Sequence, residues 1–244
     1  MKALIIIPTY NEVDNLRPLL QEIFAQTPEC DVLIVDDNSS DGTGKLADEI
    51  HAERPAVQVI HRPGKMGLGT AYITGFKYAL AHDYDAVFEM DADFSHDPRY
   101  LPAFLKAIEE ADLVIGSRYI RGGNTPGWSP LRRLISGSGN IFARIMLGIP
   151  VRDCTGGFRC YRTHVLRNID LNTIQSEGYA FQVELTYQIF KHGFRITEIP
   201  IVFTDRRIGK SKMSRKIVLE AFVYVLQTRF GASKRSGKVL PSTS

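Results

Sequence analysis

Apolar residues follow two alternating rhythms over the first 116 positions. Lys2–Ile7, Val32–Val35, Val57–His61, Ala86–Met90 and Leu113–Ile115 are runs of strand length that are apolar almost throughout, with Gln58 and Glu89 the polar exceptions. So little alternation predicts strands covered on both faces. Between the runs the period lengthens. Leu16, Leu19, Leu20, Ile23 and Phe24 recur at helical spacing after Asn11–Asp14, and Tyr72–Leu80 and Leu101–Ile108 repeat the pattern behind Thr70 and Asp97–Pro98. Strands alternating with helices predict an α/β fold with a mostly parallel central sheet flanked by helices. Ligands of such sheets collect beyond the carboxyl ends of the strands. That rule directs attention to Pro8–Glu12, Asp36–Ser39 and Asp91–His96.

Past this region, Ser117–Ser129 is rich in turn residues and precedes a helix from Pro130 to Leu147. Gly156–Tyr161, a helical Phe181–Lys191 and a strand Arg195–Val202 extend the same sheet without an intervening linker. A single domain over residues 1–230 is therefore expected. It would include an amphipathic segment at 214–230, and the Ser, Lys and Gly residues of 231–244 predict a flexible tail.

Composition narrows the picture. With 44% apolar and 23% charged residues, collagenous, coiled-coil and wholly disordered chains are excluded. No apolar run approaches the ~20 residues of a membrane span, and Met1–Pro8 lacks the layout of a secretory signal. Three cysteines without C-x-x-C spacing fit a reducing compartment better than a disulfide framework or zinc site, which predicts a cytoplasmic location. The net charge of +3 conceals a division: residues 1–122 hold 11 Lys and Arg against 20 Asp and Glu, whereas residues 123–244 hold 19 against 7. An acidic half suits a metal and a basic half suits phosphate or a membrane surface, although a solvated surface is the simpler reading.

Candidate chemistry sits on the expected rim. Asp91-Ala92-Asp93 follows a buried strand, and residues two apart in an extended chain project to the same side. Two such carboxylates suit Mg²⁺ or Mn²⁺ shared with a diphosphate; an N-cap pair before Pro98 is the structural alternative, and Ser95, His96 and Asp97 could supplement either role. Asp36-Asp37 could accept hydrogen bonds from a nucleoside, while Asp41-Gly42 suits a turn and Asn11 a cap. Gly64-Lys65-Met66-Gly67-Leu68-Gly69-Thr70 could cradle phosphate at a helix start. It is no dinucleotide fingerprint, since Tyr72 stands at the third glycine position. Arg118, Arg121, Arg132 and Arg133, with Arg206, Arg207, Lys210 and Lys212, suit anions. Aromatics do not interleave with them as nucleic acid would require, so no nucleic-acid partner is expected.

Ile5–Glu12, Val35–Thr43, Gly64–Gly69 and Met90–His96, in this order, resemble glycosyltransferase family 2. Gly116–Tyr119, Arg132-Arg133-x-x-Ser136, Thr155–Arg159, Gly178–Gln182-x-Glu184 and Asp205-Arg206-x-x-Gly209-x-Ser211-Lys212 resemble more narrowly its polyprenyl (dolichyl) phosphate mannosyltransferases. The resemblance implies a single GT-A-like domain of the nucleotide-diphospho-sugar transferases. It implies Pro8, Tyr10, Glu12, Val35 and Asp37 around the nucleoside, and Asp91, Ala92 and Asp93 around metal and diphosphate. Ser95 stands where some relatives have Gln, and its shorter reach sets its metal ligation apart. Arg206 and Lys212 would contact the donor diphosphate, Gln182 and Glu184 would lie near the sugar, and Arg118, Arg132 and Ser136 would hold the acceptor phosphate. Asp91, Asp93 and Arg206 would carry the chemistry. The implied partners are GDP-mannose, a polyprenyl or dolichyl phosphate and the cytoplasmic face of a membrane. The membrane would be reached through Lys210, Lys212, Arg215 and Lys216 meeting anionic headgroups while the apolar residues of the amphipathic segment lie in the interface, or through an anchoring partner subunit; a core-packing helix is the simpler reading of that segment.

A phosphomonoester is largely a dianion at neutral pH, since its second pKa is about 6. Its attack on a sugar therefore needs positioning cations more than a general base. Transfer of glucose or another hexose, or mere binding of a nucleotide sugar or anionic lipid, stays open on the residues alone.

Overall fold

The computed structural model describes residues 1–174, 176–205 and 215–231, with 215–220 and 231 by backbone alone. Seven strands form one sheet: β1 (Ala3–Thr9), β2 (Asp31–Asp36), β3 (Val57–His61), β4 (Ala86–Glu89), β5 (Leu113–Ser117), β6 (Arg159–Arg162) and β7 (Ile196–Pro200), in the order β3-β2-β1-β4-β6-β5-β7. All pairings are parallel except those of β6, which runs antiparallel between β4 and β5. The expected α/β sheet is present, and its order reverses between β1 and β4. In sheets of this kind the ligand crevice lies at that switch point, outside the carboxyl ends of the strands.

Two-sided burial explains the unbroken apolar strands. Leu4 and Ile6 of β1 and Leu33 and Val35 of β2 face one core, while Ile5, Ile7, Val32 and Ile34 face the other. The second core is closed by α1 (Val13–Gln26), α2 (Thr43–Glu53) and α4 (Leu101–Ala107), through Leu16, Leu19, Ile23, Ala47 and Phe104. The first is closed by α3 (Leu68–Ala81), α5 (Pro130–Leu147), α6 (Thr163–Arg167), α7 (Gly178–Lys191) and α8 (Arg215–Gly231). Each fully buried Leu or Ile contributes about 1.5–3 kcal/mol. Gly75 lets α3 lie directly on β1, because a Cβ there would stand 2.5 Å from Ile6 Cδ1.

Several boundaries shift for identifiable reasons. α3 begins at Leu68, ahead of Thr70, because Gly67 supplies the left-handed turn (φ +100°) that starts it. Asn11 does not cap α1. It adopts φ +59° and accepts from the Ser40 N–H, while Glu12 occupies the cap position. A 3₁₀ turn, Pro98–Tyr100, precedes α4 and is capped by Asp97, which accepts from the Arg99 N–H. The capping alternative for Asp91 and Asp93 is thus met by a different acid. Helix α8 is not amphipathic in the expected sense: Val225 is buried, yet Phe222, Val223 and Phe230 are exposed, so apolar side chains occupy more than one face. The helix packs on α5 and α7. The tail 232–244 lies outside the described residues.

Candidate active site

The loops leaving β1 and β2 are stitched together to form the crevice floor. Asp36 accepts from the Thr9 hydroxyl at 2.9 Å and from the Ser39 hydroxyl at 2.6 Å. Asp41 accepts from the Thr43 N–H and hydroxyl and from the Val13 N–H, which ties α2 to α1; these bonds hold its carboxyl below the ordinary range against the opposing effect of partial burial. Asp37 is buried, its carboxylate taking Arg62 Nε and the Met66 N–H. Arg62 also donates to the Thr70 hydroxyl and the Gly67 carbonyl, so it orders the whole Gly64–Gly69 loop. A buried arginine directly after β3 was the available sequence signal for it.

Pro8 pairs with Val35 across the strands, and Val35 itself is wholly buried in the core. Its side chain therefore does not reach the crevice, as an interior strand position dictates. Tyr10 lies under the Lys65 ammonium, 4.5 Å from the ring centroid. Glu12 accepts from the Asn15 side-chain amide. The N–H of Gly69, at the start of α3, donates to the Glu177 carboxylate at 3.1 Å.

Strand β4 ends at Glu89, so Asp91 and Asp93 lie in a turn, not on an extended chain. The turn is held by Phe94 at φ +63° and by the Ser95 N–H donating to Asp93. Asp93, Ser95 and Ala92 are buried, whereas the Asp91 side chain is 34% exposed. The Tyr72 hydroxyl donates to Asp91 Oδ1 at 3.0 Å. His96 accepts the Asp91 N–H at Nδ1, which places its proton on Nε2, 4.0 Å from Asp91 Oδ2. Burial lowers the His96 pKa, opposed by Asp91 and Asp93, so the ring is neutral between two acids. Two hard carboxylates on this crevice fit the oxygen chemistry of Mg²⁺ or Mn²⁺. Among the described residues no group of three or more His, Cys, Asp or Glu side chains is placed to hold a metal ion. Such a donor set suits an ion that completes its sphere from diphosphate oxygens and water.

Gln182 and Glu184 are not brought together, because two residues along a helix project to opposite sides. Gln182 donates to Glu89 at 2.6 Å beneath the crevice. Glu184 takes a hydrogen bond from Ser176 and lies near Tyr224 of α8, with its carboxyl raised by burial. Glu89 also accepts from the Tyr161 hydroxyl, and burial raises its carboxyl to about 7. Arg159, its cross-strand partner, is fully buried and donates to the Gly156, Cys154 and Gln182 carbonyls and to Thr186.

The basic residues divide. Arg118 is buried against Asp153 and Thr155. Arg132 is 27% exposed, pairs with Asp205 at 2.8 Å and stacks over Trp128. Ser136 accepts from the Tyr119 hydroxyl at 2.7 Å. Arg206, Arg207, Lys210 and Lys212 lie outside the described residues, as do the side chains of Arg215 and Lys216. Sequence reasoning missed an apolar groove of about 280 Å³ between α5, α7 and α8. Arg132, Ser136, Thr155 and Tyr179 line it, with Ile135, Phe142, Phe222 and Val225 as apolar wall. Burial raises the Tyr179 phenol, Arg118 and Arg132 oppose that shift, and Tyr119 and Asp91 add to it. Tyr179, itself on the groove wall, therefore stands near Asp91 of the acidic turn as well as Arg118 and the groove's Arg132.

A mostly parallel sheet carrying paired acids at its switch point, with a Gly-rich loop beside them, defines a GT-A-like nucleotide-diphospho-sugar transferase. The chain belongs to glycosyl transferase family 2, whose family model matches residues 4–170. It is 51% identical over 235 residues to an undecaprenyl-phosphate mannosyltransferase of Micrococcus luteus, covering 96% of each chain. It is 44% identical to a polyprenol monophosphomannose synthase of Mycolicibacterium smegmatis, covering 93% of this chain and 86% of that one. Among solved structures, glucosyl-3-phosphoglycerate synthase of Mycobacterium tuberculosis shares the fold at a TM-score of 0.68 and 17% identity, covering 94% of this chain and 80% of that one. A mannosyltransferase from Pyrobaculum calidifontis in complex with GDP-Man and Mn²⁺ does so at 0.58 and 16%, covering 98% and 76%.

Proposed function

We propose that the protein transfers mannose from GDP-mannose to a polyprenyl monophosphate, with inversion at the anomeric carbon, as a peripheral protein on the cytoplasmic face of a membrane. The observation that carries this reading is the apolar groove headed by Arg132 and Ser136, a shape that fits an isoprenoid chain ending in phosphate. The names of the two relatives support the same acceptor and sugar. The Pyrobaculum calidifontis complex supports GDP-mannose and a divalent ion.

In this reading Asp37, with Pro8, Tyr10 and Glu12, lies around the nucleoside, and Asp91 and Asp93 hold Mg²⁺ or Mn²⁺. The ion supplies charge neutralisation to the departing diphosphate. Arg206 and Lys212 are assigned the same diphosphate by the resemblance. Arg132 and Ser136 grip the acceptor phosphate and point one of its oxygens at C1 of the sugar. A bond forms from that oxygen to C1 as the bond from C1 to the GDP oxygen breaks, and GDP leaves on the opposite face. The phosphate dianion has no proton to lose, so no base is assigned. Leu134, Ile141 and Ile145 on α5, with Phe222 and Phe230 on α8, are exposed apolar side chains of helices that wall the groove, and they support contact with a lipid interface. No helix among the described residues is long and apolar enough to cross a membrane.

Purified protein is incubated with Mn²⁺ or Mg²⁺, a short polyprenyl phosphate and radiolabelled GDP-mannose, GDP-glucose or UDP-glucose, and the lipid phase is extracted. Label entering lipid from GDP-mannose alone, and lost with EDTA, is the expected result. Preferential transfer from another donor, or metal-independent transfer, overturns the reading.

A further inference from the structure

Tyr72 sits one turn into α3 with its ring fully buried, at 6.3 Å and 6.5 Å between centroids from Phe181 and Phe76. Phenylalanine would fill that space equally well, so packing does not account for the hydroxyl. The hydroxyl donates to Asp91 Oδ1 at 3.0 Å. On the other side of the same carboxylate, His96 accepts the Asp91 N–H and directs Nε2 toward Oδ2.

The place of Tyr72 in the sequence adds to this. A dinucleotide fingerprint carries glycine at this point for close packing of helix on strand. Here close packing is supplied one turn later by Gly75 against Ile6, which leaves position 72 able to carry a long side chain to the end of β4. Since α3 begins in the Gly64–Gly69 loop, the bond joins that loop's helix to the acidic turn.

We propose that Tyr72 is a positioning residue for the metal site, fixing the Asp91 carboxylate in the orientation that receives a divalent ion and its diphosphate. This rests on the reading of Asp91 and Asp93 as metal carboxylates. Hydrogen-bond partners of ligating carboxylates set metal affinity, and losing one weakens it by about 10- to 100-fold.

The test measures Mn²⁺ binding to the full chain in the presence of GDP, by electron paramagnetic resonance of free Mn²⁺, for wild type, Tyr72→Phe and Asp93→Asn. The partly exposed Asp91 can recover a hydrogen bond from water, so Tyr72→Phe is expected to melt within a few degrees of wild type. It should bind Mn²⁺ at least about 10-fold more weakly and regain transfer when Mn²⁺ is raised in proportion. Wild-type affinity in Tyr72→Phe overturns the proposal while leaving the metal reading standing. Wild type binding no better than Asp93→Asn overturns both. A role confined to ring packing would leave both the melting temperature and the Mn²⁺ affinity of Tyr72→Phe at the wild-type level.

Discussion

Arg118 grips both carboxylate oxygens of Asp153, from Nε at 2.8 Å and from Nη2 at 2.7 Å, and both side chains are buried. The expected acceptor-phosphate clamp, directly after β5, is thus already committed to a carboxylate in the loop between α5 and β6. Releasing it would leave the buried Asp153 carboxylate without its guanidinium partner, held by the Arg118 and Gly156 N–H groups. Asp153→Ala is expected to cost about 3–5 kcal/mol in urea denaturation, because it strands a desolvated guanidinium. The pair holds the Asp153 carboxyl below its ordinary range against burial. The unfolded chain then binds more protons than the folded one as the pH falls through the ordinary Asp value of about 3.9. Stability from this group is present above that pH and declines below it, toward the depressed folded value. Denaturation curves at pH 3 to 6 should show this acid limb in wild type and a flatter one in Asp153→Asn.

Arg132 offers the contrast. Its ion pair with Asp205 is partly exposed on both sides, and pairs of that kind contribute about 0–1 kcal/mol. Arg132→Ala should therefore shift the urea midpoint little. It should raise the KM for polyprenyl phosphate by about 10-fold or more, the worth of a charge-assisted hydrogen bond, with the KM for GDP-mannose unchanged. Equal loss on both substrates would remove Arg132 from the acceptor site.

The two arginines show where a sequence stops being informative. Both stand in basic, loop-flanking motifs, and nothing local distinguishes them. Asp153, 35 residues away, makes Arg118 structural. The strands were legible because burial on two faces leaves a local mark, an apolar run, and the helix Pro130–Leu147 because Ser129 and Pro130 mark its start and Gly148 its end. The groove was not legible, since its walls come from three helices whose apolar faces each resemble ordinary core. The acids of the 91–93 turn were found for the right strand end but by an extended-chain argument that the turn replaces. Glu89 was visible as an exception in an apolar run, yet its partners Tyr161 and Gln182 lie 72 and 93 residues away.

Glu89 has the opposite sign from Asp153. Its folded carboxyl is raised to about 7 by burial, opposed by Arg159, Gln182 and Tyr161. Between its ordinary value near 4.5 and 7 the folded chain holds a proton that the unfolded chain has released, so stability falls as pH rises through that window. Glu89→Gln removes the titration. Relative to wild type, the variant should gain stability from pH 5 to pH 8, by on the order of 3 kcal/mol at most. A parallel pair of urea midpoints across that range would mean Glu89 is ionised throughout in the folded protein.

The groove can be tested at Gly139, which lines it within α5 and where an added Cβ meets nothing within 4 Å. Alanine relieves a helix-interior glycine, so Gly139→Ala should stabilise the chain by up to about 1 kcal/mol and leave transfer intact. Gly139→Trp keeps the helix but places an indole in the space assigned to the isoprenoid chain. It should abolish transfer to a long polyprenyl phosphate while leaving GDP-mannose binding, measured by calorimetry, at the wild-type level. A water-soluble phosphomonoester with a short alkyl tail should remain a weak acceptor for both proteins, since it needs only Arg132 and Ser136 at the head of the groove. If Gly139→Trp still transfers mannose to the long lipid at the wild-type rate, the isoprenoid does not run between α5 and α8, and the groove has another use.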